Sequence, residues 1–471
     1  MKYSTKVRFL SHQQVPTSIY PLHQSIFDTL ARTRTTLNIF PNIHTFHWQN
    51  PNLDLCILFM HPNIRHFSFV LPINFISDSP RPFFLEITSR MPHLTNFDIR
   101  STVPMRAIET DMITLIEQLP KLKKITFPQF YLTTKIAEAL SRLLHLEIIE
   151  FQYQPEQGYG DLVDVTPFTP NFTEGAFPSL WDHSMTTTID DAARFINTKF
   201  SPVNLIMLFI ESRFIETPHS IYNFLSVVAE NCQLLKSLVL ISLRDPIIIS
   251  DIDLATDDEI TLDVLKPILK LPSLSMIDLV HQHRLALTQV DIELLAASWP
   301  SLETLILNNE PVHLSRSNLT LKALFPFAKH CPKLRHLGLF LDATSVDESF
   351  DQPNLIPFQN LERLSMGVSI ITDTESVSLC LSRILPAGCI LDYGITWDLT
   401  PDNLVTLKVE ERCQAWSKVA QTLPMLCTLR MQERERTRLI EKELEDLRMR
   451  SAVMSDMIVL GVRNNSNRIT I

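Results

Sequence analysis

Apolar residues along this chain recur as a triplet, with two spacers between the first pair and one between the second. The clearest copy is Leu302, Leu305 and Leu307 within residues 298–309, with Pro300 two residues ahead of the first leucine. Residues two apart in a strand point to one face. Leu305 and Leu307 therefore predict the buried side of a short strand, and Leu302 tucks into the turn that enters it. A lone short strand has nothing to pack against, so such a unit has to stack on others like it. The triplet indeed returns, beginning at Ile43, Ile64, Leu94, Leu122, Leu146, Leu205, Leu235, Leu274, Leu302, Leu334 and Leu361, with a degenerate copy at Leu180, His183 and Met185. The mean interval is about 29 residues, at the upper edge of the leucine-rich-repeat range.

Between triplets the apolar period changes to that of a helix. Residues 112–119, 135–144, 221–229, 290–297, 321–330 and 377–385 read as helices. Thr188 with Asp191, Thr288 with Asp291 and Thr372 with Glu375 have capping-box spacing. Several helices run into a proline, at Pro120, Pro272 and Pro300, where helix does not easily continue. Strand, turn, helix, turn, repeated a dozen times, predicts an α/β fold: an irregular leucine-rich-repeat solenoid over residues 1–396, about 12 to 13 units, with a curved parallel sheet and helices on the convex side. Val7 and Phe9 open it as a leading strand, residues 21–31 form that strand's helix, and residues 389–393 close the sheet. A polar loop at 153–175 and an acidic stretch at 244–260 interrupt the register.

From Thr400 and Pro401, a sound N-cap and N1 pair, the pattern becomes a C-terminal helical extension over 400–450. Trp416, Val419, Ala420 and Leu423 form an apolar stripe that packs on the last repeat, and Pro424 kinks or ends that helix. Residues 430–450 read as a solvated helix with a thin seam of Ile440, Leu444 and Leu447. Residues 451–471 are expected to be a disordered tail.

Composition narrows the chemistry. Hydrophobic residues make up 45% of the chain, enough for a large core, and only 8 glycines argue against folds built on Gly-rich phosphate loops. A net charge of −10 argues against a nucleic-acid binder. Seven cysteines without a C-x-x-C pair make neither a disulfide framework nor a zinc site, and predict an intracellular protein, cytoplasmic or nuclear. No apolar run is long enough to span a membrane. His281-Gln282-His283 has no third ligand at metal spacing and reads as a surface loop pair. Cys380 and Cys389, without a partnered histidine, read as buried structural thiols. The acidic stretch lacks the spacing of a calcium loop, and no Walker, Rossmann or G-x-S-x-G pattern is present. The expectation is a protein that is not an enzyme and holds no cofactor or metal.

Strand residues alternating with the buried pair face the concave side. In the N-terminal units these are polar: Thr45, His47, His66, Ser68, Asn96, Asp98, Lys124, Thr126 and Glu150. In the middle units the strip turns largely apolar. Met207, Phe209, Val239, Ile241, Met276, Val280, Thr304 and Ile306 are therefore the expected partner-binding residues, because contiguous exposed apolar patches mark contact sites. Two other accounts are open: the 153–175 loop folds over the strip, or β-prone residues simply suit these strands.

The segments His330-Cys331-Pro332-Lys333-Leu334-Arg335-His336-Leu337-Gly338-Leu339 and Ala176-Phe177-Pro178-Ser179-Leu180 resemble the irregular leucine-rich repeats of fungal F-box proteins. Trp416-Ser417-Lys418-Val419, followed by Leu429-Arg430-Met431-Gln432-Glu433, is similar to the C-terminal helix of that group. The resemblance implies a non-enzymatic arm that captures a protein target on the concave face for a cullin–RING ubiquitin ligase. A Skp-type adaptor is implied only where an F-box lies upstream; residues 21–27 echo one but follow the first strand and read as a repeat helix. The alternative is an F-box-independent repeat regulator or inhibitor using the same face. The asparagine usual three residues after the triplet is absent at Pro51, Pro72, Thr102, Phe130 and Glu310, which favours irregular curvature.

Overall fold

The computed structural model describes residues 4–12, 24–33, 36–76, 78–152, 155–244, 259–314, 316–345, 355–397 and 404–466. The expected cap at Thr400 and Pro401, the start of the first repeat helix at 21–23 and most of the acidic stretch, 245–258, lie outside the described residues.

Sixteen strands are present among the described residues. They are β1 Phe9–His12, β2 Thr45–Trp48, β3 His66–Leu71, β4 Asn96–Ser101, β5 Lys124–Phe127, β6 Ile148–Phe151, β7 Asp182–Thr186 and β8 Met207–Ser212. The C-terminal half adds β9 Ser237–Ser242, β10 Met276–His281, β11 Thr304–Leu307, β12 His336–Leu339, β13 Asp342–Ala343, β14 Arg363–Ser365, β15 Ile370–Ile371 and β16 Ile390–Asp392. Fourteen of them form one parallel sheet in chain order; β13 and β15 pair separately. The fold is a leucine-rich-repeat solenoid. Helices are about 10 Å across whereas paired strands sit about 4.8 Å apart, so the helical side spreads and the sheet turns its open face inward.

The triplet explains the core. Leu302, Leu305 and Leu307 are buried, as are the equivalent residues of the other units except Phe151, and the apolar ones merge into one cluster along the solenoid. Pairing is in register, Leu305 against Ile277 and Leu337, so each unit places its knobs beside those of its neighbours. The degenerate copy forms β7, and its middle residue, His183, occupies an apolar core position stacked on Phe195 at 4.7 Å.

Turn backbones after the strands need polar partners that the missing asparagines would have supplied. Serines take over. Ser101 Oγ donates to the Leu71 carbonyl and accepts from Val103 N–H; Ser369 Oγ donates to the Leu339 carbonyl and accepts from Leu341 N–H. One rung is asparagine: buried Asn308 accepts from His281 N–H and donates to the His283 carbonyl.

Helix starts follow the cap residues. Thr188 and Thr288 accept from the N–H of Asp191 and Asp291, and at Thr288 the full box is formed. The expected box at Thr372 and Glu375 is corrected: Asp373 is the N-cap, its carboxylate accepting from the N–H of Glu375 and Ser376, while the Thr372 hydroxyl donates to the Thr344 carbonyl.

Two further expectations are corrected at the C-terminus. A single helix, Leu404–Ser466, runs through Pro424 without ending there, and it continues past residue 450 into the stretch expected to be disordered. Proline in a helix interior loses one hydrogen bond and costs about 3 kcal/mol. Trp416, Val419, Leu423 and Cys427 are buried on either side of it, against the helix Thr374–Ile384, and this packing offsets the cost. Trp416 Nε1 donates to the Ser369 carbonyl at 2.8 Å, fixing the helix on the last repeat.

The 153–175 segment is also more ordered than a polar loop. It carries a helical turn at Pro155–Gln157 and a short helix at Leu162–Val165. Buried Gln157 donates to Asp98 and to the Ile99 carbonyl, and Arg106 pairs with Asp161 and Asp164. Residues 157–159 therefore lie at the ends of β4 and β5, and residues 168–171 bond to the helices Thr134–Ser141 and Ile189–Asn197.

Candidate protein-binding face

Parallel register lines up the alternating residues into rows across the open face. One row runs Thr45, His66, Asn96, Lys124, Ile148, Asp182, Met207, Ser237, Met276, Thr304, His336 and Arg363. The next carries Phe209, Val239, Asp278, Ile306, Gly338, Ser365 and Asp392 side by side. The expected residues thus share one face, yet they differ in accessibility. Met207 is 38% exposed, whereas Val239 is only 7% exposed between Phe209 and Asp278. Phe209, Ile241, Met276, Val280, Thr304 and Ile306 are half-buried.

Strands β6 and β7 pair at only two positions, Ile148 with Asp182 and Ile149 with His183. Beyond that point Phe151 is half-buried and meets Phe209 edge-on at 5.1 Å. The third member of that triplet is therefore not a core residue, contrary to its place in the pattern.

Where the apolar segment meets the C-terminal strands, the face sinks into a cavity of ≈ 410 Å³. Ile241, Val280 and Ile306 form an aliphatic wall. Gly338 stands opposite Ile306; a Cβ there would come within 3.2 Å of the Ile306 side chain, so the glycine keeps this part of the face low. Gly367 adopts positive φ with its backbone against the Asn309 carbonyl, a place only glycine takes without strain.

Two carboxylates face this space. Asp278 Oδ1 is buried without a hydrogen-bond partner among the described residues. Burial, together with the nearby Glu310, pushes the Asp278 carboxyl up to about 7. Glu310 is also raised by burial, an effect opposed by hydrogen bonds from the Thr396 backbone N–H and hydroxyl at 2.5 and 2.9 Å. The cation on this side, Arg363, is engaged with Asp392 at 2.8 Å, and His336 bonds Ser365 at 2.7 Å. Asp278 was legible only as a polar exception in an apolar strip, and Glu310 only as a position without the usual asparagine; their proximity comes from the turn after β11.

The other candidates fall away as chemistry. His281 and Gln282 are buried, which corrects the surface-loop reading: His281 Nε2 meets the Glu216 carbonyl at 2.9 Å, and burial pulls the imidazole down to about 4. His283 stacks on His313 at 4.6 Å. Among the described residues no three metal-ligating side chains gather. Burial raises the Cys380 and Cys389 thiols to about 11 and about 12, away from nucleophilic thiolate. Cys380 is buried, and Cys389 is half-buried. Among the described residues no helix is long and apolar enough to cross a membrane.

No family model and no curated protein matches the sequence. Solved structures do resemble it in outline. One is the TLR13–ssRNA13 complex, at 14% identity and TM-score 0.39 over 83% of this chain and 47% of that chain. Another is the yeast Rad7–Elc1 complex, at 14% identity and TM-score 0.36 over 80% and 85%. A third is the leucine-rich repeat-containing protein LegL7 from Legionella pneumophila, at 10% identity and TM-score 0.36 over 79% and 96%. This chain spans less than half the length of the TLR13 chain. The solenoid assignment rests on the fourteen-strand register itself.

Proposed function

We propose that the protein is a non-enzymatic recognition scaffold that binds a protein target on its concave face. The observation that carries this reading is the change across the rows of the open face, from polar residues in the N-terminal units to a largely apolar middle segment that ends in a cavity. A face that is half-buried, aliphatic and rimmed by carboxylates suits a peptide segment more than a phosphate backbone, in keeping with the net charge of −10. The centre of such a patch supplies most of the binding energy. That places the weight on Phe209, Met276 and Ile306, with Met207, Thr304, Ile241 and Val280 around them.

The resemblance to fungal F-box proteins takes the reading a step further. In that role the solenoid is the substrate-binding arm of a cullin–RING ubiquitin ligase, and a Skp-type adaptor binds through a segment ahead of the first repeat. Without that segment the same face serves an F-box-independent regulator or inhibitor. Co-purification of a Skp-type adaptor with the natural full-length product separates these two roles.

Affinity capture tests the shared core of the proposal. Phe209→Asp and Met276→Asp, in chains with an unchanged melting profile, are expected to lose the captured protein. An undiminished yield of the same protein overturns the assignment.

A further inference from the structure

The C-terminal helix leaves the solenoid near Arg434, whose guanidinium donates to the Arg383 carbonyl. Every residue from 431 to 455 is exposed, and beyond Arg434 this arm packs against nothing among the described residues. Leu439, Met449 and Val453 are scattered around it, but four other apolar residues are ordered. Ile440, Leu444, Leu447 and Met454 follow spacings of four, three and seven, the alternation of core positions in a coiled coil, with Thr437 and Ser451 at the remaining core sites. Their side chains are 49%, 48%, 56% and 67% exposed.

Charges flank this seam. With Leu444 at position a, Arg436, Glu443 and Arg450 occupy g, and Glu441 and Arg448 occupy e. In a parallel pair each g residue faces the e residue five positions later on the other strand. Arg436 then meets Glu441 of a second copy, and Glu443 meets Arg448. In an antiparallel pair g faces g and e faces e. Glu443 then meets Arg450 and Glu441 meets Arg448, about a centre at which Leu444 faces Leu447. In either direction the flanks of two copies complement one another.

Within a single chain four of these charges do less. The ion pairs along the arm are Arg430 with Glu433, Arg438 with Glu435 and Arg450 with Asp446; among the described residues none involves Arg436, Glu441, Glu443 or Arg448. A solvated lone helix is supported by opposite charges three or four residues apart. Glu443 has none, its neighbours at that spacing being Leu439, Ile440, Asp446 and Leu447.

We infer that residues 436–454 form a two-stranded coiled coil with a second copy of this chain. The pairing joins two solenoids and makes the assembly bivalent, which raises avidity for any target with two sites.

Sedimentation velocity of the full chain tests the inference. Over about 0.5 to 50 µM, a range matched to a short seam, the mass is expected to rise from 54.1 kDa toward twice that value. Leu444→Asp with Leu447→Asp should hold the chain monomeric with the melting profile of the solenoid unchanged. Glu443→Arg alone should weaken association about tenfold or more, and adding Arg448→Glu restores it in a parallel pair, Arg450→Glu in an antiparallel one. A chain that is monomeric at every concentration overturns the inference, as does a dimer indifferent to the leucine substitutions or a loss at Glu443→Arg that neither second substitution regains.

Discussion

At the scale of single residues, the solenoid carries ionisable groups at places its pattern reserves for apolar ones. His183 holds a core position that other units fill with Leu, Ile or Phe, both ring nitrogens lack partners, and burial pulls its pKa down to about 3. The folded state keeps it neutral while the unfolded chain takes up a proton near pH 6.5. Stability from this site is therefore full above pH 6.5 and falls as the pH drops toward 3. His183→Leu should raise the thermal midpoint, by a margin that grows between pH 7 and pH 4; parallel melting curves across that range would show the histidine to be immaterial. Asp278 acts with the opposite sign. Its raised pKa means the folded state holds the proton, so its contribution is full below pH 3.8 and lost as pH rises through about 7. Asp278→Asn should stabilise the protein by roughly 2 kcal/mol at pH 8, with the gain vanishing near pH 4 in chemical denaturation. A gain independent of pH would place the effect in packing instead of charge.

At the scale of elements, the triplet was readable because its spacing is the burial rule of a short strand. Leu302, Leu305 and Leu307 occupy the places their order assigns, and twelve of the fourteen strands of the sheet, all but β1 and β16, follow from it. What the pattern could not convey was long-range compensation. Pro424 looks like a helix end because the local cost is visible, whereas the opposing burial of Trp416, Val419, Leu423 and Cys427 depends on a surface built from residues 374–384. The same holds for Gln157, a polar residue in a Gly- and Pro-containing stretch that ends fully buried because Asp98 and the Ile99 carbonyl receive it. Pro424→Ala restores a donor to the Ala420 carbonyl and relieves the ring clash. Amide exchange over residues 418–426 should slow, with a gain of up to about 3 kcal/mol in local stability. Faster exchange would mean that the proline shapes the docked helix.

At the scale of the whole molecule, the repeat and the binding face are written in different positions of the same strands. The buried positions repeat and are silent about the target; the alternating ones vary and set the rows from Phe209 to Ile306. Membership of that face was legible from strand alternation alone. Its depth was not, because the cavity arises where Gly338, the turn carrying Glu310 and residues 392–396 converge from separate units. The central claim is that this segment of the open face touches the partner. Site-specific photo-crosslinking tests it most directly, with a photoreactive residue placed in turn at Met276, at Asn96 in the polar part of the same row, and at Leu294 on the helical side. The account predicts a covalent adduct with the captured protein from position 276 and none from 294. Adducts from 294 with none from 276 would contradict it.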